Sequence, residues 1–169
     1  ADLVDRFPAY HRRSYVCNAG VGDVLIGAAA LIADYNGVEK ASHIRDKLVE
    51  MTHLNETIYS TGIAASYQSE RMPSGVWQCD DLIANVCKHH VTKMPYELAR
   101  LAQDLAGGLV VTLPSQQDLD HDELGPLLEK YLQGRAGVST EARVRILRLI
   151  EIMTLGRNAV GYLTESMHG

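Results

Sequence analysis

Apolar residues recur at helical spacing along almost the whole chain, and no segment alternates strictly between apolar and polar. From Val21 the pattern runs through Val24, Leu25, Ala28, Leu31, Ile32 and Tyr35, which sets one apolar stripe on one helix. Asn36-Gly37 supplies its stop, because both residue types tolerate the left-handed backbone of a helix C-terminus. Ser42 is placed to cap a second helix with Ile44, Leu48 and Met51 inward and Arg45, Asp46 and Glu50 outward. That helix continues through Thr57 and Ala65 toward Gln68. Arg71-Met72-Pro73-Ser74-Gly75 breaks the pattern.

Asp80 or Asp81 opens a third helix through Leu82, Ile83, Val86 and His90, and Pro95 predicts a kink or a restart. Leu98, Leu101 and Leu105 carry the period on to Gly107-Gly108. Leu109 to Asp122 reads as an irregular segment, with Leu109 to Leu113 too short to build a sheet. A short helix is expected from about Glu123 to Leu132. Ser139-Thr140-Glu141 starts the last long helix, running past Met153 toward Leu163. Four long helices with short connections predict an all-α fold, an antiparallel four-helix bundle. The first of these helices is almost free of charge between Val24 and Ala33, so it is expected to be covered on more than one side, by the core or by a second subunit.

Composition narrows the partners. The 169 residues are 46% hydrophobic and 22% charged, ordinary for one globular domain with a sizeable core. Sixteen Lys plus Arg stand against twenty-one Asp plus Glu with no basic run, which disfavours nucleic acid. No apolar stretch approaches a membrane span and no signal-peptide pattern appears, so no membrane association is expected. Three cysteines, Cys17, Cys79 and Cys87, are too few and too irregular for a disulfide framework and suit the cytoplasm; each is expected as a small buried residue. The chain begins Ala-Asp-Leu and stops at Met167-His168-Gly169, which reads as a piece of a longer protein.

Four segments hold groups with chemistry. His11 and Cys17 lie six positions apart beside the glycine-containing run Asn18-Ala19-Gly20-Val21-Gly22-Asp23, expected as a turn that opens the first long helix. Both side chains are ligands for zinc or for iron–sulfur iron, and a non-helical segment would bring them together. The alternative is a surface His and a buried Cys. Cys87-Lys88-His89-His90 puts Cys87 and His90 on one helix face, but without a second ligand pair Cys87 is expected inward and the two His near the surface. Gln103-Asp104-Leu105-Ala106-Gly107-Gly108 ends a helix in two glycines, where one would suffice for a cap and two allow a ligand close to the backbone. Glu165 and His168 in the C-terminal run are suited to proton transfer if enclosed, and otherwise form a solvated tail.

Taken in order, these segments resemble one family. His11-Arg12-x-Ser14-Tyr15, Cys17, Gly20-Val21-Gly22-Asp23-Val24-Leu25-Ile26-Gly27, Lys40-Ala41-Ser42-His43, Met51-Thr52-His53-Leu54-Asn55-Glu56-Thr57, Ala102-Gln103-Asp104-Leu105-Ala106-Gly107-Gly108 and Thr164-Glu165-Ser166-Met167-His168-Gly169 are similar to the 4-hydroxybutyryl-CoA dehydratase and 4-hydroxyphenylacetate 3-monooxygenase family. The His and the Cys at the helix entrance favour the dehydratase side.

The resemblance implies a fold similar to the acyl-CoA dehydrogenases. Residues 1–169 would be the C-terminal helical bundle that mediates homodimer or homotetramer assembly, without the N-terminal helical and middle β-domains. It implies FAD beside a four-iron four-sulfur cluster held by three Cys and one His, with His11 and Cys17 as two of the four ligands. Tyr15 would sit in the substrate cleft, and Glu165 would be a catalytic carboxylate. His11 would also serve as a base, and Gln103, Gly107 and Gly108 would line the FAD site. The implied reaction converts 4-hydroxybutyryl-CoA to crotonyl-CoA, with vinylacetyl-CoA isomerisation, and its hard step is removal of an unactivated β-proton. Two departures stand out: Asn18 occupies a position expected to be Lys, and the segment from Tyr15 to Cys17 is one residue short. Alternative implications are a flavin-dependent aromatic hydroxylase without the cluster, or a non-catalytic oligomerisation module.

Overall fold

In the computed structural model, residues 2–156 and 159–164 are described. The chain is helical from its first turn. Helix α1 spans Asp2–Ser14, a 3-10 turn covers Tyr15–Cys17, α2 follows at Asn18–Tyr35 and α3 at Ser42–Tyr67. A two-residue hairpin pairs Glu70–Arg71 (β1) with Trp77–Gln78 (β2), antiparallel. Then come α4 (Asp81–Val91), α5 (Met94–Ala106), a 3-10 turn (Gly108–Val111), α6 (Gln116–Leu119), α7 (Leu124–Tyr131) and α8 (Thr140–Thr154), with a π-helical turn at Val160–Thr164. The all-α class expected from the periodicity is the class observed.

Local chemistry explains most boundaries. The Asp80 carboxylate accepts from the Ile83 N–H at 2.7 Å, and the Ser139 hydroxyl accepts from the Ala142 N–H at 3.1 Å, so each satisfies a donor its helix leaves unpaired. Gly37 ends the run after α2 with a φ of 71°, and Pro95 sits in the first turn of α5, where a missing N–H costs nothing. Of the kink or restart expected at Pro95, the restart is observed, between α4 and α5.

The main core is built by α2, α3, α5 and α8. Leu25, Ala29, Ile32, Met51, Leu98, Ala102, Leu147 and Ile150 are sealed from solvent within it. A second, smaller cluster joins Ala19, Ile58, Cys87 and Val91, with Val16 and Met94 against it. This second cluster ties the 3-10 turn and the start of α2 to α3 and α4.

Several expectations are corrected. Helix α1 was not anticipated: its apolar residues Leu3, Val4 and Phe7 face solvent, and Ala9 alone is fully covered among the α1 residues whose exposure is described. The Asn18–Asp23 run, expected as a turn, is helical. Ala41 rather than Ser42 precedes α3 as its cap residue, without a side-chain cap bond. The last long helix stops at Thr154, and Gly156 turns with a φ of 67°. Cys17 is exposed rather than buried, whereas Cys79 and Cys87 are buried as expected. The outer face of α2 is not covered by the rest of the chain: Val21, Val24 and Leu31 are exposed. Among the described residues no helix is long and apolar enough to cross a membrane.

Candidate functional site

Cys17 closes the 3-10 turn and caps α2, so its thiol stands at the entrance of a helix and is open to solvent. His11 lies on α1, exposed, within the last turn before that 3-10 segment; it is helical, not part of an open loop. Tyr15 is the first residue of the 3-10 turn. Glu165 lies outside the described residues.

The turn is seated on α3. Gly62 leaves room for Val16, because a Cβ there would lie 2.4 Å from Val16 Cγ2. Seven residues earlier on the same helix, Asn55 is only 2% exposed and its amide nitrogen donates to Ala19 O at 3.0 Å and to Asp23 Oδ1 at 2.7 Å. Gly22 permits that approach: a Cβ on it would sit 2.0 Å from Asn55 Oδ1. Between these two contacts Ile58 packs against Ala19, and Cys87 Sγ donates to Ile58 O at 3.7 Å. The glycines expected to open a turn thus act inside the helix, as a place for α3 to come close.

Charge accumulates beside the same turn. Arg12 donates from Nη1 to Asn85 Oδ1, and Lys88, buried on α4, is held below the usual lysine range by burial and then by the Arg12 cation. His90 is likewise lowered, by burial and then by its neighbour His89. Cys87 is inward, His89 exposed and His90 half-buried, so this segment forms no ligand pair with an open position. In the π-helical turn Tyr162 is 3% exposed, and burial together with the Asp23 carboxylate pushes its phenol well above the ordinary tyrosine range. Tyr162 therefore stays a neutral donor.

The glycine end of α5 is a separate place. Gln103 is half-buried and its amide nitrogen donates to Thr154 O at 3.2 Å. Gly107 needs its residue type, with φ at 71°, but Gly108 has no such backbone demand, and a Cβ on it would meet nothing within 4 Å. Among the described residues no packing accounts for its missing side chain, as is also true of Gly20 and Gly27. Met94, the first residue of α5, packs against the cluster of Ala19, Ile58, Cys87 and Val91 on which Val16 also sits, while Gly107 caps the other end. The 13 residues of α5 span about 20 Å. One chain therefore does not gather His11, Cys17, Gln103, Gly107 and Gly108 around a single point.

Two ligands cannot close an iron–sulfur site, and among the described residues no three His, Cys, Asp or Glu side chains are grouped to hold a metal ion.

Known proteins fit this picture. The sequence profile of the 4-hydroxyphenylacetate 3-hydroxylase C-terminal domain matches residues 1–169. The chain belongs to that family. Within it, the chain is 53% identical over 99% of its length to 4-hydroxybutyryl-CoA dehydratase/vinylacetyl-CoA-Δ-isomerase of Clostridium aminobutyricum, covering 36% of that protein. The solved structure of an oxygen-tolerant archaeal 4-hydroxybutyryl-CoA dehydratase from N. maritimus superposes with a TM-score of 0.94 at 72% identity. It covers 99% of this chain, which corresponds to 33% of that one. The FAD complex of the 4-hydroxyphenylacetate 3-monooxygenase oxygenase component superposes at 0.81 with 25% identity, over 92% of this chain and 33% of that one. The chain thus spans about a third of the length of these relatives.

Sequence reasoning picked out His11, Cys17, Gln103, Gly107 and Gly108 but passed over Asn55 and Asp23. The signal for Asn55 was present: it occupies an inward helical position between Met51 and Ile58, where an amide is out of place unless something needs it.

Proposed function

We propose that residues 1–169 form the C-terminal helical domain of a FAD- and iron–sulfur-dependent 4-hydroxybutyryl-CoA dehydratase/vinylacetyl-CoA Δ-isomerase. The observation that carries the reading is identity to dehydratases of 53% and 72% over 99% of the chain, against 25% to the FAD-bound monooxygenase component. The exposed Cys17 thiol, in the turn that follows the helix carrying His11, supports it, since these would be two of four cluster ligands, the other two coming from outside this domain. Gln103, Gly107 and Gly108 would line the flavin. Because they lie at the far end of α5 from Cys17, a complete site would draw on another domain or another subunit.

When bound, the flavin supplies one-electron chemistry and the cluster a Lewis acid for the substrate hydroxyl. The overall balance removes one proton each from the α- and β-carbons, releases the terminal hydroxyl as water with one of them, and returns one proton to the terminal carbon. His11 is the group proposed to take the β-proton, while Tyr15 and Glu165 are proposed to return one. The acyl-CoA substrate and the cytoplasmic setting belong to the same proposal.

The test is purification of the full-length protein without oxygen. Brown colour, flavin and iron, with conversion of 4-hydroxybutyryl-CoA to crotonyl-CoA, are expected; residues 1–169 alone are expected to give no turnover. An iron-free protein that hydroxylates a phenol with supplied reduced flavin would instead select the monooxygenase branch, in which Cys17 is structural. The exposed Val21, Val24 and Leu31 on α2, with open space beside Gly20 and Gly27, support self-association as a homodimer or homotetramer. Light scattering is expected to show a multimer, and a monomer at all concentrations would remove this part of the reading.

A further inference from the structure

Asn55 is costly where it stands. Its Oδ1 is buried with no hydrogen-bond partner among the described residues, and an unpaired buried carbonyl is destabilising. Turning the amide over would not help, since oxygen would then face the Ala19 carbonyl and the Asp23 carboxylate. Nor is the amide needed to satisfy the backbone, because Ala19 lies inside α2, whose own ladder serves its carbonyl. Position 55 is flanked on the buried face of α3 by Met51 and Ile58, so an apolar side chain would pack there without an orphan atom. What the amide adds is a grip on the first turn of α2 and on the Asp23 carboxylate, and Gly22 gives up its side chain to allow it.

We propose that Asn55 is a positioning residue for the site. From the middle of α3 it holds the first turn of α2 through Ala19 and Asp23, and thereby fixes the direction in which Cys17, the cap of that helix, presents its sulfur. Gly62, which receives Val16 on the other side of Cys17, completes the seat. Asp23 is exposed, so its partner is not needed to pay for burial; its part is to accept the amide hydrogen bond that locks the turn.

The activity arm of the test rests on the dehydratase reading, and the second arm does not. In the full-length protein, Asn55→Leu removes the amide and the orphan oxygen together and is expected to fold. The variant is expected to lose about tenfold or more in kcat, the range typical of residues that orient a ligand. KM should change by less than about threefold, since ground-state binding is untouched. Amide hydrogen exchange across residues 16–23 is expected to accelerate by about tenfold, with α8 unchanged.

Asp23→Ala is expected to behave like Asn55→Leu. Asp23→Asn, which keeps an oxygen to accept the bond, is expected to retain about fivefold more kcat than Asp23→Ala and slower exchange at 16–23. Wild-type exchange at 16–23 in Asn55→Leu would overturn the inference. Faster exchange with kcat within about twofold would also overturn it, making Asn55 a purely structural contact. Indistinguishable Asp23→Asn and Asp23→Ala proteins would do the same. If the wild-type protein converts no 4-hydroxybutyryl-CoA, it is the dehydratase reading that falls, and the exchange measurements still test whether Asn55 holds the first turn of α2.

Discussion

Cys17→Ala in the full-length protein is expected to abolish the visible absorption of the cluster and to lower kcat by at least about a hundredfold. The reasoning starts from exposure. Of the three thiols, Cys79 and Cys87 are buried among apolar neighbours, so only Cys17 presents sulfur to a group from outside the chain. Thiolate is the ligand iron–sulfur clusters use most, and a helix entrance favours the negative charge that the bound form carries. Cys87→Ala is the matched control. Its sulfur donates to Ile58 O inside a packed cluster, so its loss is expected to lower stability by about 1–2 kcal/mol and leave iron content alone. His11→Ala is expected to follow Cys17→Ala in iron content. Iron per protomer unchanged in both variants would remove the ligand assignment, whatever their activity.

Gly22→Ala is expected to be the most destabilising single methyl group added to α2. The new Cβ would lie 2.0 Å from Asn55 Oδ1, and Asn55 is wedged in place by its bonds to Ala19 and Asp23. Overpacking costs about 1–3 kcal/mol and losing a hydrogen bond to a charged group adds to it, so a loss of about 3 kcal/mol is expected. In a chain of this size that corresponds to a fall in Tm of roughly 6–12 °C. Gly27→Ala in the same helix gives the contrast, since a Cβ there meets nothing within 4 Å. Alanine then gains up to about 1 kcal/mol of helix propensity, and the variant is expected to melt at or above the wild-type temperature. Thermal denaturation of residues 1–169 followed by circular dichroism checks both. Equal melting temperatures for the two variants would mean that Asn55 moves aside freely.

Helices α2 to α5 were legible because their inward positions keep a regular three-and-four spacing. The restart at Pro95 and the caps at Asp80 and Ser139 were legible because each has a local chemical cause. Helix α1 was hidden for a physical reason: its apolar residues Leu3, Val4 and Phe7 face out, and Pro8 stands within it. Gly20 and Gly22 misled in the opposite direction. Glycine inside a helix usually signals a break, and here Gly22 answers to a side chain 33 positions further along the chain, a tertiary demand that no local window contains. The site residues His11 and Cys17 stood out by residue type and by resemblance. Asn55 entered only as one position of the run Met51 to Thr57 that carries the resemblance, because an amide in the middle of a helix becomes informative only when its burial is known.

The uneven exposure of the three cysteines has a practical consequence. Within residues 1–169, with two sulfurs sealed in the interior, a maleimide probe has one place to attach, at the N-cap of α2. A spin label or fluorophore put there would sit at the mouth of the proposed site, needing no engineered cysteine and no removal of native ones, and would sense directly what docks against that end of the domain.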